Sequence, residues 1–318
     1  MLGFIQYLIE STATSRYSDE HALARVWNHM VQKGIADNKN AMMEELAKAK
    51  VDQSHPLHFD NVSAEGFKGK KKTHEAYDSY HKELATAVDT VHALASHPDF
   101  AKAVKEKHIA SVMGGNRGKV SPTWINHGAT KGPVSKSDLS ISDPSEEGSN
   151  KGLLLSLKKG SGSQLMSAGP EENKAVHDHA ARKMLDTHPN YKNMTQAEKD
   201  KIHAKIMSHM DEVTKHLNAM KTAPRSDLEH HKIKAQASID AAHDAHPELN
   251  NYVRKEATTG EGKFGKNTPH AVSYLVKSGF RTTKPDVIHV DKHDYEGSRP
   301  RIALPKGDGR SGNVKSDE

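Results

Sequence analysis

Residues 152–173 read GLLLSLKKGSGSQLMSAGPEEN. The first half has the pattern of a strand. With a period of two, Leu153, Leu155 and Leu157 share one face, and Leu154, Ser156 and Lys158 the other. The apolar run stops at two lysines, a glycine-serine turn follows, and Pro170, Glu171 and Glu172 begin a helix. The turn lacks GxxxxGK[ST] and does not open a helix as GxGxxG does, so it reads as the exit of a strand and not as a nucleotide loop.

Immediately upstream, SKSDLSIS (135–142) is a second strand, with Asp138 and Ser140 on one face and Leu139 and Ile141 on the other. DPSEEGSNKG (143–152) is the loop between them. Antiparallel pairing would bring Asp138 and Lys158 to one end of this hairpin. A carboxylate there suits a hard divalent cation, and an ammonium can orient water or offset charge developing on a phosphate. A solvated aspartate and a strand-end lysine are the plainer reading of the same residues. SPTWINHG (121–128) reads as a further strand.

Outward from the hairpin the chain is mostly helical. On the amino-terminal side, helices are expected from the Ser18/Asp19 cap to Gly34, over Asn38–Lys50, over about 73–97, and from Pro98 to about Lys107. On the other side, three segments with breaks near Pro189 and Pro224 read as surface helices with one narrow apolar stripe each. TTGEGKFGKNTP (258–269) reads as a glycine-rich link, HAVSYLVKSG as helix or strand, and DVIHV and RIALP as short strands. The expected organisation is a helical region over 11–108, a core over 109–304 with a helical insertion over about 190–256, and a disordered tail over 305–318. The fold class is α/β in the α+β sense, a small mixed sheet decorated by many helices.

The chain has 318 residues, a net charge of +5 and no cysteine. Disulfides and thiolate metal sites are therefore excluded, which fits a reducing cytosol or a phage particle assembled there. No apolar run is long enough to span a bilayer, so no membrane partner is expected. The small positive excess favours a polyanion. Residues 108–137 hold no Asp or Glu, whereas Arg117, Lys119, Lys131 and Lys136 are basic. These four, with Lys159 and Lys263, are the candidate DNA-phosphate contacts. The 23 histidines are scattered and form no HExxH. They read as solvated helix positions.

SKSDLSI followed by LLLSLKKGSGSQLMS resembles the metal-binding hairpin of the PD-(D/E)XK (restriction-endonuclease-like) nuclease superfamily, over roughly residues 110–185. The resemblance implies a mixed sheet of about four strands flanked by helices, and hydrolysis of nucleic-acid phosphodiesters with Mg²⁺ or Mn²⁺. It matches Asp138 to the metal-binding aspartate, Lys158 to the catalytic lysine, Gln164 to a glutamine just after the lysine strand, and the Leu157 carbonyl to a metal ligand. The chain departs from the pattern at Ser156, which stands where the family has a second acid. Glu171 and Glu172 are the nearest replacements, and Glu75 and Glu83 on the preceding long helix are others.

Leu8, Ile9 and Glu10 resemble the processing signal of prohead proteases in T4-like phages. Of the twenty glutamates, Glu10 alone has Leu or Ile two residues before it. This resemblance implies a cleaved leader over 1–10, a mature chain from Ser11, capsid partners and a place in the virion; otherwise the segment is an amphipathic first helix. Two functions are expected. One is a Mg²⁺-dependent nuclease acting on DNA in the virion or the infected host cytoplasm. The other is a non-catalytic virion protein that binds DNA or capsid proteins.

Overall fold

The computed structural model describes residues 17–67, 74–113, 135–146, 152–159, 164–265, 268, 270–278, 284–304 and 312–317. Contacts divide the chain into two compact units: Met1–Gly114, Asp138–Gly160 and Val276–Val287 form one, and Gly115–Ser137, Ser161–Leu275 and Ile288–Glu318 the other. The expected mixed α/β class is what the structure has.

In the first unit, α1 (Asp19–Lys33) starts where the Ser18 hydroxyl accepts the His21 amide and ends at Gly34 in the left-handed region. Helix α2 (Lys39–Val51) is capped by Asn38, and α3 (His74–Ala95) and α4 (Ala101–Lys105) follow. Tyr17, Phe67 and Tyr80 pack in tilted and edge-on contacts, and Trp27 meets Phe100 edge-on. Strands β1 (Ile109–Val112), β2 (Leu139–Ser142) and β3 (Leu153–Lys159) are antiparallel neighbours. Asn28 on α1 acts as a one-residue strand partner for β1. Its amide donates to the Ala110 carbonyl at 3.0 Å and accepts the Ala110 N–H at 2.6 Å. That covers an edge that would otherwise present open backbone groups. A side chain at Gly152 would sit 2.6 Å from the Ser140 hydroxyl, so the hairpin closes only on glycine.

The five-stranded sheet runs β1-β2-β3-β5-β6, where β5 is Tyr274–Ser278 and β6 is Asp286–His289. The boundary between the units passes through these last two strands. HAVSYLVKSG thus resolves as a strand. The first strand of the sheet is Ile109–Val112, and SPTWINHG lies outside the described residues.

The second unit holds β4 (Gln164–Ala168), α5 (Pro170–Thr187), α6 (Gln196–Ala219), α7 (Leu228–Ala245), α8 (Leu249–Thr259) and α9 (Glu261–Phe264). Strands β7 (Arg301–Ala303) and β8 (Asn313–Asp317) complete a three-stranded antiparallel sheet, β4-β8-β7. The helices are not thin surface decoration. Met184, Met210, Val213, Leu217, Ile239 and Val253 are fully buried in one core with β4 and β8. Residues 312–317 are likewise not a disordered tail: Val314 and Ser316 alternate inward along β8 and are fully buried.

Two buried histidines meet in this core. His177 on α5 and His243 on α7 approach Nε2 to Nε2 at 3.4 Å. His177 Nδ1 faces the Asn173 carbonyl at 3.0 Å, which only accepts, so the His177 proton is on Nδ1 and His243 Nε2–H donates to His177. His243 Nδ1 is then a bare acceptor with no protein partner. Burial pulls His177 down to about 4 and His243 to about 3, the latter helped by its neighbour. The unfolded rings protonate near 6.5. Stability is therefore intact above pH 6.5 and falls as pH drops from 6.5 towards 4, by on the order of 3 kcal/mol per ring. Urea midpoints at pH 7 and pH 4.5 measure this. The double variant His177→Leu/His243→Leu should lose less stability on acidification than the wild type, and an equal loss would show that the pair is not responsible.

Glu256, near the end of α8, behaves oppositely. The segment expected to be a link turns through Gly260, left-handed at a φ of 69°, into α9, and the Gly262 N–H donates to both Glu256 oxygens at 3.0 Å. Glu256 Oε2 lies 3.4 Å from His179 Nε2. A Cβ at residue 262 would collide with the His179 ring at 2.3 Å. Burial pushes the Glu256 carboxyl up to about 8 against the pull of the Gly262 amide, and burial also lowers His179. Burial thus favours the uncharged form of each group, with the His179 ring 3.4 Å from the carboxyl. Stability from this group is complete below pH 4.5 and is lost as pH rises through 8. Glu256→Gln keeps an oxygen to accept the Gly262 N–H and has no proton to lose. Its melting temperature should hold between pH 7 and 9 where that of the wild type falls, whereas Glu256→Ala should be destabilised at every pH.

Candidate functional site

The β2–β3 register pairs Leu139 with Leu155. Asp138 sits one residue before β2, so it comes to stand at the height of Ser156. Its backbone extends the ladder on both sides: its N–H donates to the Leu155 carbonyl at 2.7 Å, and its carbonyl accepts the Met113 N–H at 3.0 Å. The side chain turns onto β3, where Oδ2 accepts the Leu157 N–H at 2.6 Å and the Ser156 hydroxyl at 3.0 Å. Burial raises the Asp138 pKa; the Leu157 amide, the nearby Lys158 charge and Ser156 oppose it without cancelling it. The hairpin thus brings Asp138, Ser156, Leu157 and Lys158 together. Buried Ser156 is not a carboxylate substitute. It is a donor that holds the one carboxylate in place.

Leu157 also lines a narrow cleft of about 10 Å³, room for roughly one water or a bare ion. The other walls are Asp19 and Leu23 of α1 and Glu83, Thr86, Ala87 and Thr90 of α3. Glu83 is buried there. Among the acids proposed to replace the one absent at Ser156, Glu83 is the one that shares a cleft with Leu157. The Glu75 side chain lies outside the described residues. Glu171 is exposed in the first turn of α5, and Glu172 is held by Lys263 at 2.7 Å, both within the second unit. Asp19 was not anticipated. In sequence it is one acid of a helix first turn, where the dipole alone accounts for it.

The expected basic contacts fare differently. Lys136 is anchored in the second unit, its Nζ donating to the Leu165 carbonyl at 2.8 Å and its N–H to the His270 carbonyl at 2.8 Å. Lys263 is not on a loose link: it sits in α9 and is ion-paired to Glu172. Arg117, Lys119 and Lys131, the leader residues Leu8, Ile9 and Glu10, and the side chains of Lys159 and Gln164 lie outside the described residues.

Among the described residues, one cluster has the composition of a metal site: His29, Glu45 and His55. Both imidazole Nε2 atoms lie 2.9 Å from Glu45 Oε1, Lys33 binds the same oxygen, and Lys48 reaches Oε2 at 3.4 Å. Its donor set is wrong for an ion. His55 Nδ1 accepts the Leu57 N–H at 3.1 Å, so the neutral ring carries its proton on Nε2, pointing at Glu45. A metal on that nitrogen would force a proton onto Nδ1, against another N–H. The cluster is a buried carboxylate saturated with donors. Burial alone would raise Glu45, yet hydrogen bonds from Lys33, His29 and His55 hold it well below the usual carboxylate range. These histidines are structural and not the solvated positions their scatter implied. No protein-family model, no curated protein and no solved structure matches the chain.

Proposed function

We propose that the chain is a PD-(D/E)XK-like nuclease that hydrolyses DNA phosphodiesters with Mg²⁺ or Mn²⁺. The observation that carries this reading is the Asp138 carboxylate, fixed at a strand end by the Leu157 amide and the Ser156 hydroxyl, with the Lys158 charge close by. The donor set fits a hard cation. Among the described residues the hydrogen bonds to Asp138 fall on Oδ2, and Oδ1 and the neighbouring Leu157 carbonyl are both oxygen donors. When bound, the ion would supply Lewis-acid polarisation of the scissile phosphate.

The remaining work belongs to the chain itself. Ser156 and the Leu157 amide orient Asp138. Lys158 keeps a positive charge beside that carboxylate and offsets charge developing on the phosphate. The acid that the strand lacks has to come from another element, and Glu83 on α3 and Glu172 on α5 are the candidates.

The site also allows a second reading, carried by Ser156: with a neutral hydroxyl in the acid's place, the fold can persist in a virion protein that binds DNA or a capsid partner without cutting. The two readings separate on a supercoiled plasmid assay. A nuclease should nick or linearise DNA with Mg²⁺ or Mn²⁺ and stop with EDTA. Asp138→Asn and Lys158→Ala should each lower the rate by about 10²-fold or more. Wild-type protein that leaves single- and double-stranded DNA intact, yet retains it in a salt-sensitive manner, would establish the binding reading. The source of the missing acid is tested on the same substrate: Glu83→Gln should abolish cleavage while Glu172→Gln retains it. The reverse result would move the acid to α5.

A further inference from the structure

Helices α6 and α7 pack as a hairpin joined through residues 220–227. Near its turn, His216 of α6 and His231 of α7 face each other, Nδ1 to Nδ1 at 3.1 Å, with ring centroids 5.4 Å apart. Both rings are partly exposed. Glu212, one turn earlier on α6, places Oε2 3.9 Å from His216 Nε2. At that distance Glu212 is a charge neighbour and not a hydrogen-bond acceptor, and both its oxygens accept from Lys215 Nζ, at 3.2 and 3.0 Å.

The spacing has a chemical meaning. Two imidazole nitrogens each about 2.05 Å from a first-row ion stand about 2.9 Å apart at a right angle and about 3.3 Å apart at the tetrahedral angle. The observed separation falls between the two. We propose that His216 and His231 form a two-imidazole clamp for a divalent first-row transition ion, with exposed His230 beside it. In the ion-free chain one Nδ1–H is donated to the other ring. On binding, the donor ring moves that proton to Nε2, which the partly exposed ring can present to water.

The other histidine pairs lack this freedom. His55 is locked by the Leu57 N–H and by the Lys33 ammonium on Glu45. His177 and His243 are fully buried, and moving the His243 proton to Nδ1 would leave a buried N–H with no acceptor.

The test uses the full chain without an affinity tag, freed of metal and titrated with Ni²⁺ by calorimetry. One equivalent should bind at the strongest site. His216→Asn and His231→Asn should each weaken that equivalent at least tenfold, because either ring alone is a one-point ligand, and Glu212→Gln should weaken it less. Bound Cu²⁺ should give an electron paramagnetic resonance spectrum with coupling to two imidazole nitrogens, lost in either histidine variant. Circular dichroism of the variants should match the wild type. Wild type and both histidine variants binding Ni²⁺ with the same stoichiometry and affinity would overturn the proposal. So would a Cu²⁺ spectrum that both variants leave unchanged.

Discussion

The hydrogen bond from the Leu157 amide to Asp138 Oδ2 is the contact on which the rest of the candidate site depends. It is a side chain completing a backbone ladder. Asp138 stands just before β2, where the strand would otherwise leave the β3 amide at Leu157 without its neighbour. By accepting that amide and the Ser156 hydroxyl together, the carboxylate is oriented without any group held solely for catalysis. The cost is desolvation, visible as the raised Asp138 pKa. A carboxylate whose charge burial disfavours gains from a cation that favours the ionised form.

Histidine explains much of what is unusual about the composition. In five described places a ring Nδ1 accepts the N–H two residues ahead, as Asp or Asn does in a turn: His55 to Leu57, His58 to Asp60, His97 to Asp99, His188 to Asn190 and His289 to Asp291. His58 and His97 cap short helical turns in this way. Each of these acceptors exists only while Nδ1 carries no proton. Together with the neutral His177–His243 pair, they tie turns in both units to the uncharged imidazole. A chain with an ordinary complement of Asp and Asn at these turns would not share that dependence.

What was legible in the sequence was local. Period-two apolar alternation marked β2 and β3, helical spacing with Ser18, Asn38 and Gly34 marked the first helices, and turn chemistry separated the hairpin from its surroundings. What was not legible depends on contacts far apart in the chain. Glu83 and Asp19 meet Leu157 in one cleft only because α1 and α3 pack together beside the hairpin, and nothing in a single helix announces that. The buried histidines were misread for the same reason, since a polar residue on a lysine-rich helix resembles a solvated one until a second helix covers it. TTGEGKFG was read as a link because glycine usually marks one. Here Gly260 supplies a left-handed turn, and Gly262 lets an imidazole lie against the backbone. The carboxy-terminal VKS failed by brevity: β8 spans five residues and has meaning only beside β4 and β7.

These long-range contacts also bear on Ser156. A carboxylate at that position would face Asp138 across a single strand pairing, and two acids so close repel unless an ion is bound. A serine removes that repulsion and adds a donor to the Asp138 carboxylate. On the proposed reading the second acid then comes from another element, whose distance from Asp138 is set by packing and not by strand register. That arrangement separates the stability of the sheet from the charge of the site. A second acid drawn from a helix could be varied without disturbing the strands that present Asp138 and Lys158.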